Sequence, residues 1–108
     1  MSYISQYTPE TLSRDELDQT QGPMVVEFGT NWCGICRGAQ ADIQAAMDGH
    51  PSVAHLKVED GKGRRLGRTF GVKLWPTLVF LRDGQEIARV VRPQGRQAID
   101  EQLEKLLG

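Results

Sequence analysis

A chain of 108 residues with 39% apolar and 25% charged residues has ordinary globular usage, far from the low-hydrophobicity, high-charge composition of disordered chains, and is long enough for one core without staples. Its formal net charge of −1 leaves no global positive field to gather nucleic acid or anionic lipid. No run approaches the roughly 18 apolar residues of a membrane span, and the opening stretch through Gln19 has neither a basic leader nor an apolar segment, so a soluble, cytoplasmic, monomeric protein is expected, with Met1 as its initiator.

No repeat, low-complexity tract or Pro/Ser-rich linker divides the chain, and 1–108 is read as one domain. In chain order, Ser13-Arg14-Asp15-Glu16 has the form of a capping box and starts a short helix toward Gln19, which Gly22-Pro23 closes off. Met24 to Phe28 reads as a strand, apolar on both faces apart from Glu27, as a central parallel strand should be. From Cys36 onward Ala39, Ile43, Ala46 and Met47 recur at helical spacing and end at Asp48-Gly49-His50-Pro51, a terminal glycine followed by a helix breaker. Val53 to Glu59 is the next strand, so strand, helix and strand imply a right-handed parallel crossover. Arg64 to Phe70 is a weak helix, and Lys62-Gly63-Arg64-Arg65 before it is a solvated turn. Thr77 to Arg82, then Asp83-Gly84, then Glu86 to Arg92 is a hairpin signal, because Asp-Gly supplies the positive φ angles of a two-residue turn. Ile99, Leu103, Leu106 and Leu107 place a last helix on the sheet. The fold class is therefore α/β, a three-layer α/β/α arrangement with a mixed central sheet ending in a hairpin.

The chain's two cysteines, Cys33 and Cys36, stand two residues apart at the turn between the first strand and the long helix. In a reducing compartment a permanent structural disulfide is a poor explanation for them, which favours reactivity or metal binding. A helix N-terminus favours a thiolate through its unpaired N–H groups and dipole, so Cys33 is the expected attacking thiol. Cys36, one turn further on and deeper, is the expected resolving thiol. Two other readings stand beside this one. The cysteines could be small buried hydrophobes, or Cys33, Cys36, His50 and His55 could form a two-cysteine, two-histidine zinc site, since their spacing fits one. Gly49 and Pro51 break the helix between the two histidines, which argues against the finger. Glu27 could point to solvent at an edge or lie buried, where a charge is expensive without a partner.

Val26-Glu27-Phe28, Trp32-Cys33-Gly34-Ile35-Cys36-Arg37, Gly71-Val72-Lys73-Leu74-Trp75-Pro76-Thr77 and the Asp83-Gly84 turn follow one another in order, and on these stretches the chain resembles the thioredoxin family from about Gly22 to its end. The resemblance implies a thioredoxin fold and a reversible Cys33/Cys36 dithiol-disulfide couple that reduces disulfides in protein substrates. It further implies a couple recharged by an NADPH-dependent flavoprotein reductase and needing no bound cofactor. Carried over, Trp32 covers the couple, and Pro76 is a cis-proline facing the sulfurs. Trp32, Gly34, Ile35, Trp75 and Pro76 shape a substrate groove. Glu27 takes the place of a buried acid that exchanges a proton with Cys36, with its pKa expected to be raised by desolvation. The chain departs from the family pattern at Ile35, in place of a proline between the cysteines, where the dipeptide tunes the potential. Glu27 is longer than the usual aspartate, Gly29 replaces a second tryptophan, and His55 stands where a lysine often accompanies the acid, as a candidate proton partner. Trp75 and Arg92-Pro93 narrow or recharge the groove. The alternative of another class is a non-catalytic thioredoxin-like module that binds a partner around Trp75 and Pro76.

Overall fold

A computed structural model describes residues 3–108; Met1, read above as the initiator, lies outside them. The helices and strands follow as α1 (Arg14–Asp18), β1 (Pro23–Gly29), α2 (Gly34–Asp48), β2 (Ala54–Glu59), α3 (Leu66–Thr69), β3 (Thr77–Arg82), β4 (Gln85–Val91) and α4 (Arg96–Leu107). Among the described residues no helix is long and apolar enough to cross a membrane.

The four strands form one sheet in the order β2-β1-β3-β4. β1 is central, as its apolar character requires, but it is parallel only to β2 and antiparallel to β3, so the sheet is mixed at its middle. Alternation along β1 divides two cores. Val25 faces a cluster with Ile43, Met47, Leu78, Phe80, Ile99 and Leu103 under α2 and α4. Val26 and Phe28 face Leu17, Leu66, Phe70 and Leu81 under α1 and α3. Full burial of such a side chain stabilises by roughly 1.5–3 kcal/mol, and the two clusters together give the three layers expected from the sequence.

Local chemistry sets the element ends. Ser13 Oγ accepts from the Glu16 N–H at 3.1 Å and Glu16 Oε1 accepts from the Ser13 N–H at 3.0 Å, completing the capping box. Asp83 and Gly84 take φ of 51° and 81° between Arg82 and Gln85, the two-residue turn that Asp-Gly favours. A Cβ on Gly84 would come within 1.9 Å of the Asp18 carbonyl oxygen, so the hairpin tip packs on the end of α1 and admits no side chain there.

Three details differ from the sequence reading. The β3–β4 pairing slips after Phe80, so that Ala88 opposes Phe80 while Glu86 opposes Leu81, a bulge that strand periodicity does not announce. Leu107 fits the helical spacing but is exposed at the frayed end of α4. Gly49 ends α2 with a φ of −77°, so it stops the helix without the left-handed turn that usually selects glycine.

Candidate active site

The turn from β1 into α2 places Cys33 at the N-cap of α2 and Cys36 in its first turn. Cys33 is half-buried and Cys36 fully buried, both as free thiols. The Cys36 N–H donates to Cys33 Sγ at 3.2 Å. An N-cap side chain normally accepts this bond through oxygen; here sulfur accepts it, which places Cys33 Sγ where the helix end favours negative charge. Behind it, desolvation, together with the hydrogen bond to Cys33, pushes the Cys36 thiol up to about 11.

Cys36 is backed by a buried polar cluster. Glu27 lies on the same face of β1 as Val25, beneath α2, and is fully buried. Its carboxylate accepts from the Tyr7 hydroxyl, from Gln40 Nε2 at 3.0 Å and from His55 Nε2 at 2.9 Å. His55 Nδ1 accepts the Ile4 N–H at 2.9 Å, so Nε2 carries the ring hydrogen and donates to Glu27. Lys57, also buried, holds its ammonium 4.0 Å from Glu27 Oε2, donates to the Ser5 carbonyl at 2.9 Å and to Gln40 Oε1, and lies 4.6 Å from the centre of the Tyr7 ring. Tyr3, Tyr7, Asn31, Arg37, Gln40 and Lys57 line a surface cleft of about 330 Å³, so one side of the cluster reaches solvent.

One expectation is corrected here and one is extended. Burial, the strongest influence on Glu27, pushes its pKa upward as expected, but the His55 hydrogen bond, the Lys57 charge and the Tyr7 hydrogen bond outweigh it and hold the carboxyl below its ordinary value. The carboxylate is buried but amply solvated by protein donors. A lysine that the sequence reading did not single out also stands beside the acid. The β1–β2 register puts Lys57 opposite Glu27 and His55 opposite Val25, and both side chains reach the acid.

The other singled-out residues lie around Cys33. Trp32 is 69% exposed and Ile35 is 48% exposed; Trp32 is a projecting rim more than a cover. Gly34 opens α2 with free space around its Cα. The Trp75–Pro76 bond is cis, as the resemblance implies. Trp75 is held by a hydrogen bond from Nε1 to Asp60 Oδ2 at 2.8 Å and stacks its ring edge over Gly61. Arg92 adopts the left-handed φ of 52°, donates its N–H to the Pro76 carbonyl and its Nε to the Trp75 carbonyl, each at 2.9 Å, and so ties the end of β4 to the Trp75-Pro76 turn. The zinc alternative is separated in space. His50 lies beyond the C-terminal end of α2, whose 15 residues span about 22 Å, with its Nδ1 at 2.8 Å from the Ala46 carbonyl, and His55 is committed to Ile4 and Glu27.

Tyr7, Gln40 and Lys57 were not among the residues the sequence pointed to. Gln40 sits four residues after Cys36, hence on the same helical face, and Lys57 two after His55, hence on the same strand face; both could be found by spacing. Tyr7 belongs to an N-terminal segment outside any periodic pattern, laid along β2 by the Thr8 N–H to the Lys57 carbonyl at 3.3 Å and the Glu59 N–H to the Thr8 carbonyl at 2.8 Å.

Comparison with known proteins agrees with this geometry. Residues 5–105 match the family model described as Thioredoxin. Among solved structures, the chain superposes on thioredoxin 2 from Pseudomonas aeruginosa in its reduced form with a TM-score of 0.88 and 56% identity, covering 98% of both chains. It is 38% identical over 76 residues to thioredoxin H-type 1 of Nicotiana tabacum, a match covering 68% of this chain and 58% of that protein's length. Over 108 residues it is 28% identical to thioredoxin 1 of Nostoc, covering 99% and 100% of the two chains.

Proposed function

The chain belongs to the thioredoxin family and is a protein thiol-disulfide oxidoreductase, and from that premise we propose how its residues divide the work. Cys33 thiolate attacks one sulfur of a substrate disulfide, breaking the S–S bond, releasing one substrate thiolate and forming a mixed disulfide. Cys36 then loses its proton and attacks Cys33 Sγ. The Cys33–Cys36 disulfide forms, the second substrate sulfur leaves as a thiolate, and two electrons have passed to the substrate. Glu27 handles the Cys36 proton, and Trp32, Gly34, Ile35, Trp75 and Pro76 form the surface on which the substrate segment lies.

The observation that carries this assignment is the opposite exposure of two sulfurs at one helix start, half-buried for Cys33 and fully buried for Cys36. Family membership supports recharging by an NADPH-dependent thioredoxin reductase. Two free cysteines fit a reducing, cytoplasmic setting. The shared sheet under both apolar clusters supports one domain over 1–108 and a monomer that needs no partner to bury its core.

Trapping tests the assignment. Cys36→Ser should accumulate mixed disulfides with protein substrates, because Cys33 can attack but nothing resolves; Cys33→Ser should accumulate none and should lose disulfide reduction. Equal trapping by both variants, or retained reduction by Cys33→Ser, would overturn it. Loss of trapping with retained partner capture in every variant would hand the case to a binding module.

A further inference from the structure

On the footing that Cys36 is the resolving thiol, we propose that the Tyr7 hydroxyl is the proton relay between Cys36 Sγ and the Glu27 carboxylate. Tyr7 is 4% exposed, and its main chain is clamped on both sides by the Asn31 side chain, which accepts the Tyr7 N–H at 2.9 Å and donates to the Tyr7 carbonyl at 3.0 Å. Asn31 precedes Trp32 and Cys33, so the clamp ties the ring to the loop that carries the couple. The hydroxyl donates to Glu27 Oε2.

The same hydroxyl is in hydrogen-bonding contact with the resolving thiol. A Cβ built on Gly29 would be 2.7 Å from Cys36 Sγ and 2.8 Å from Tyr7 Oη, so both atoms crowd into the space that glycine leaves free. Any side chain at that position would separate them. A phenol has one hydrogen and two lone pairs. The hydrogen goes to Glu27, which leaves the lone pairs to accept from Gln40 Nε2, 3.4 Å away, and from the Cys36 thiol. The titratable and charged groups facing the phenol are Glu27 from β1, Cys36 from α2 and Lys57 from β2, with His55 on the far carboxylate oxygen and Tyr3 and Arg37 lining the same cleft.

The transfer balances without charging the phenol. As Cys36 Sγ closes on Cys33 Sγ and expels the substrate thiolate, the Cys36 proton passes to Tyr7 Oη while the Tyr7 hydrogen passes to Glu27 Oε2. In the resting dithiol the proton stays on sulfur, since Cys36 and Tyr7 are both raised by burial while Glu27 is held ionised. Only consumption of the nascent thiolate by the attack draws the proton across. Glu27 afterwards returns it to water through the cleft that Tyr7, Gln40 and Lys57 line.

One equivalent of a symmetrical aryl disulfide that releases a coloured thiolate, mixed with the reduced protein in a stopped-flow instrument, reads the two steps separately. The first release reports attack by Cys33 and the second reports attack by Cys36. Tyr7→Phe keeps the ring and removes the relay. It is expected to leave the first release within about twofold of wild type, to slow the second at least about tenfold at neutral pH, and to make that second rate climb with hydroxide as wild type does not. Gly29→Ala, which keeps the phenol but forces it from the sulfur, is expected to slow the same phase and answers for Tyr7→Phe should that variant fail to fold. A second release with wild-type rate and pH profile in the folded variants would overturn the relay alone. A second release persisting in Cys36→Ser would instead remove the resolving role and the relay with it.

Discussion

Two sulfurs one helical turn apart sit in opposite surroundings. Around Cys33 the chain offers an exposed apolar rim, with Trp32 and Ile35 projecting to solvent and the Cys36 N–H donating to the sulfur. Cys36 is itself fully buried and is backed by a polar cluster of Tyr7, Glu27, His55 and Lys57, with Gln40 half-buried where the cluster meets its cleft. The difference teaches that a C-x-x-C pair at a helix start is made asymmetric by what lies behind it. In the division of labour proposed above, one sulfur meets a foreign disulfide and the other keeps its proton until the mixed disulfide forms.

The strongest way to break this contrast is to remove the exposed sulfur. Cys33→Ser should lower the turnover of a protein disulfide by about a thousandfold or more, since thiolate attack is the step that everything else serves; a turnover assay with the reductase or a chemical reductant reads it. Next in size is removal of the acid at the centre of the buried side. Glu27→Ala leaves His55, Tyr7 and Gln40 without their shared acceptor and Lys57 without its nearby carboxylate, and should cost about 3–5 kcal/mol in denaturant unfolding, whereas Glu27→Gln, which keeps some bonds, should cost less.

The same carboxylate gives the contrast a pH signature. Its folded pKa lies below the unfolded value, so its stabilisation is complete above the ordinary carboxylate range and is lost as pH falls through the folded pKa. Thermal or denaturant stability of wild type should therefore fall more steeply in acid than that of Glu27→Gln; parallel acid limbs would remove Glu27 from the account of stability. On the exposed side, Trp75→Phe deletes the Asp60 hydrogen bond and should cost about 0.5–1.5 kcal/mol, raising KM for a protein disulfide with little change in kcat. The smallest effect belongs to neither region: Arg96→Ala breaks an exposed pair with Asp100, 2.9 Å apart on α4, and should change stability by about 0.5 kcal/mol or less.

The rim was legible in the sequence and the cluster mostly was not, for a physical reason. Cys33, Cys36, Trp32, Ile35, Trp75 and Pro76 fall in short contiguous stretches whose punctuation by glycine, proline and β-branched runs also marks the strand-helix-strand path, so the fold class and the hairpin could be read directly. The cluster is assembled across sequence distance. Tyr7 reaches Glu27 from 20 positions away and His55 reaches it from 28, and nothing local encodes those meetings. The same distance explains why the Glu27 shift ran opposite to expectation: burial is visible in an apolar strand, but donors supplied by three other segments are not. In the sequence Gly29 reads only as the absence of a tryptophan; the room it leaves for Tyr7 Oη and Cys36 Sγ depends on segments far apart along the chain.

The most direct measurement is the pH dependence of alkylation at each cysteine of the reduced protein, resolved by peptide mass after limited reaction. The expected result is that Cys33 is modified first at every pH, with Cys36 reacting only as pH approaches about 11, where burial has pushed its thiol. Modification of Cys36 ahead of Cys33, or of both sulfurs in step across the pH range, would contradict the division between an exposed attacking thiol and a buried resolving one.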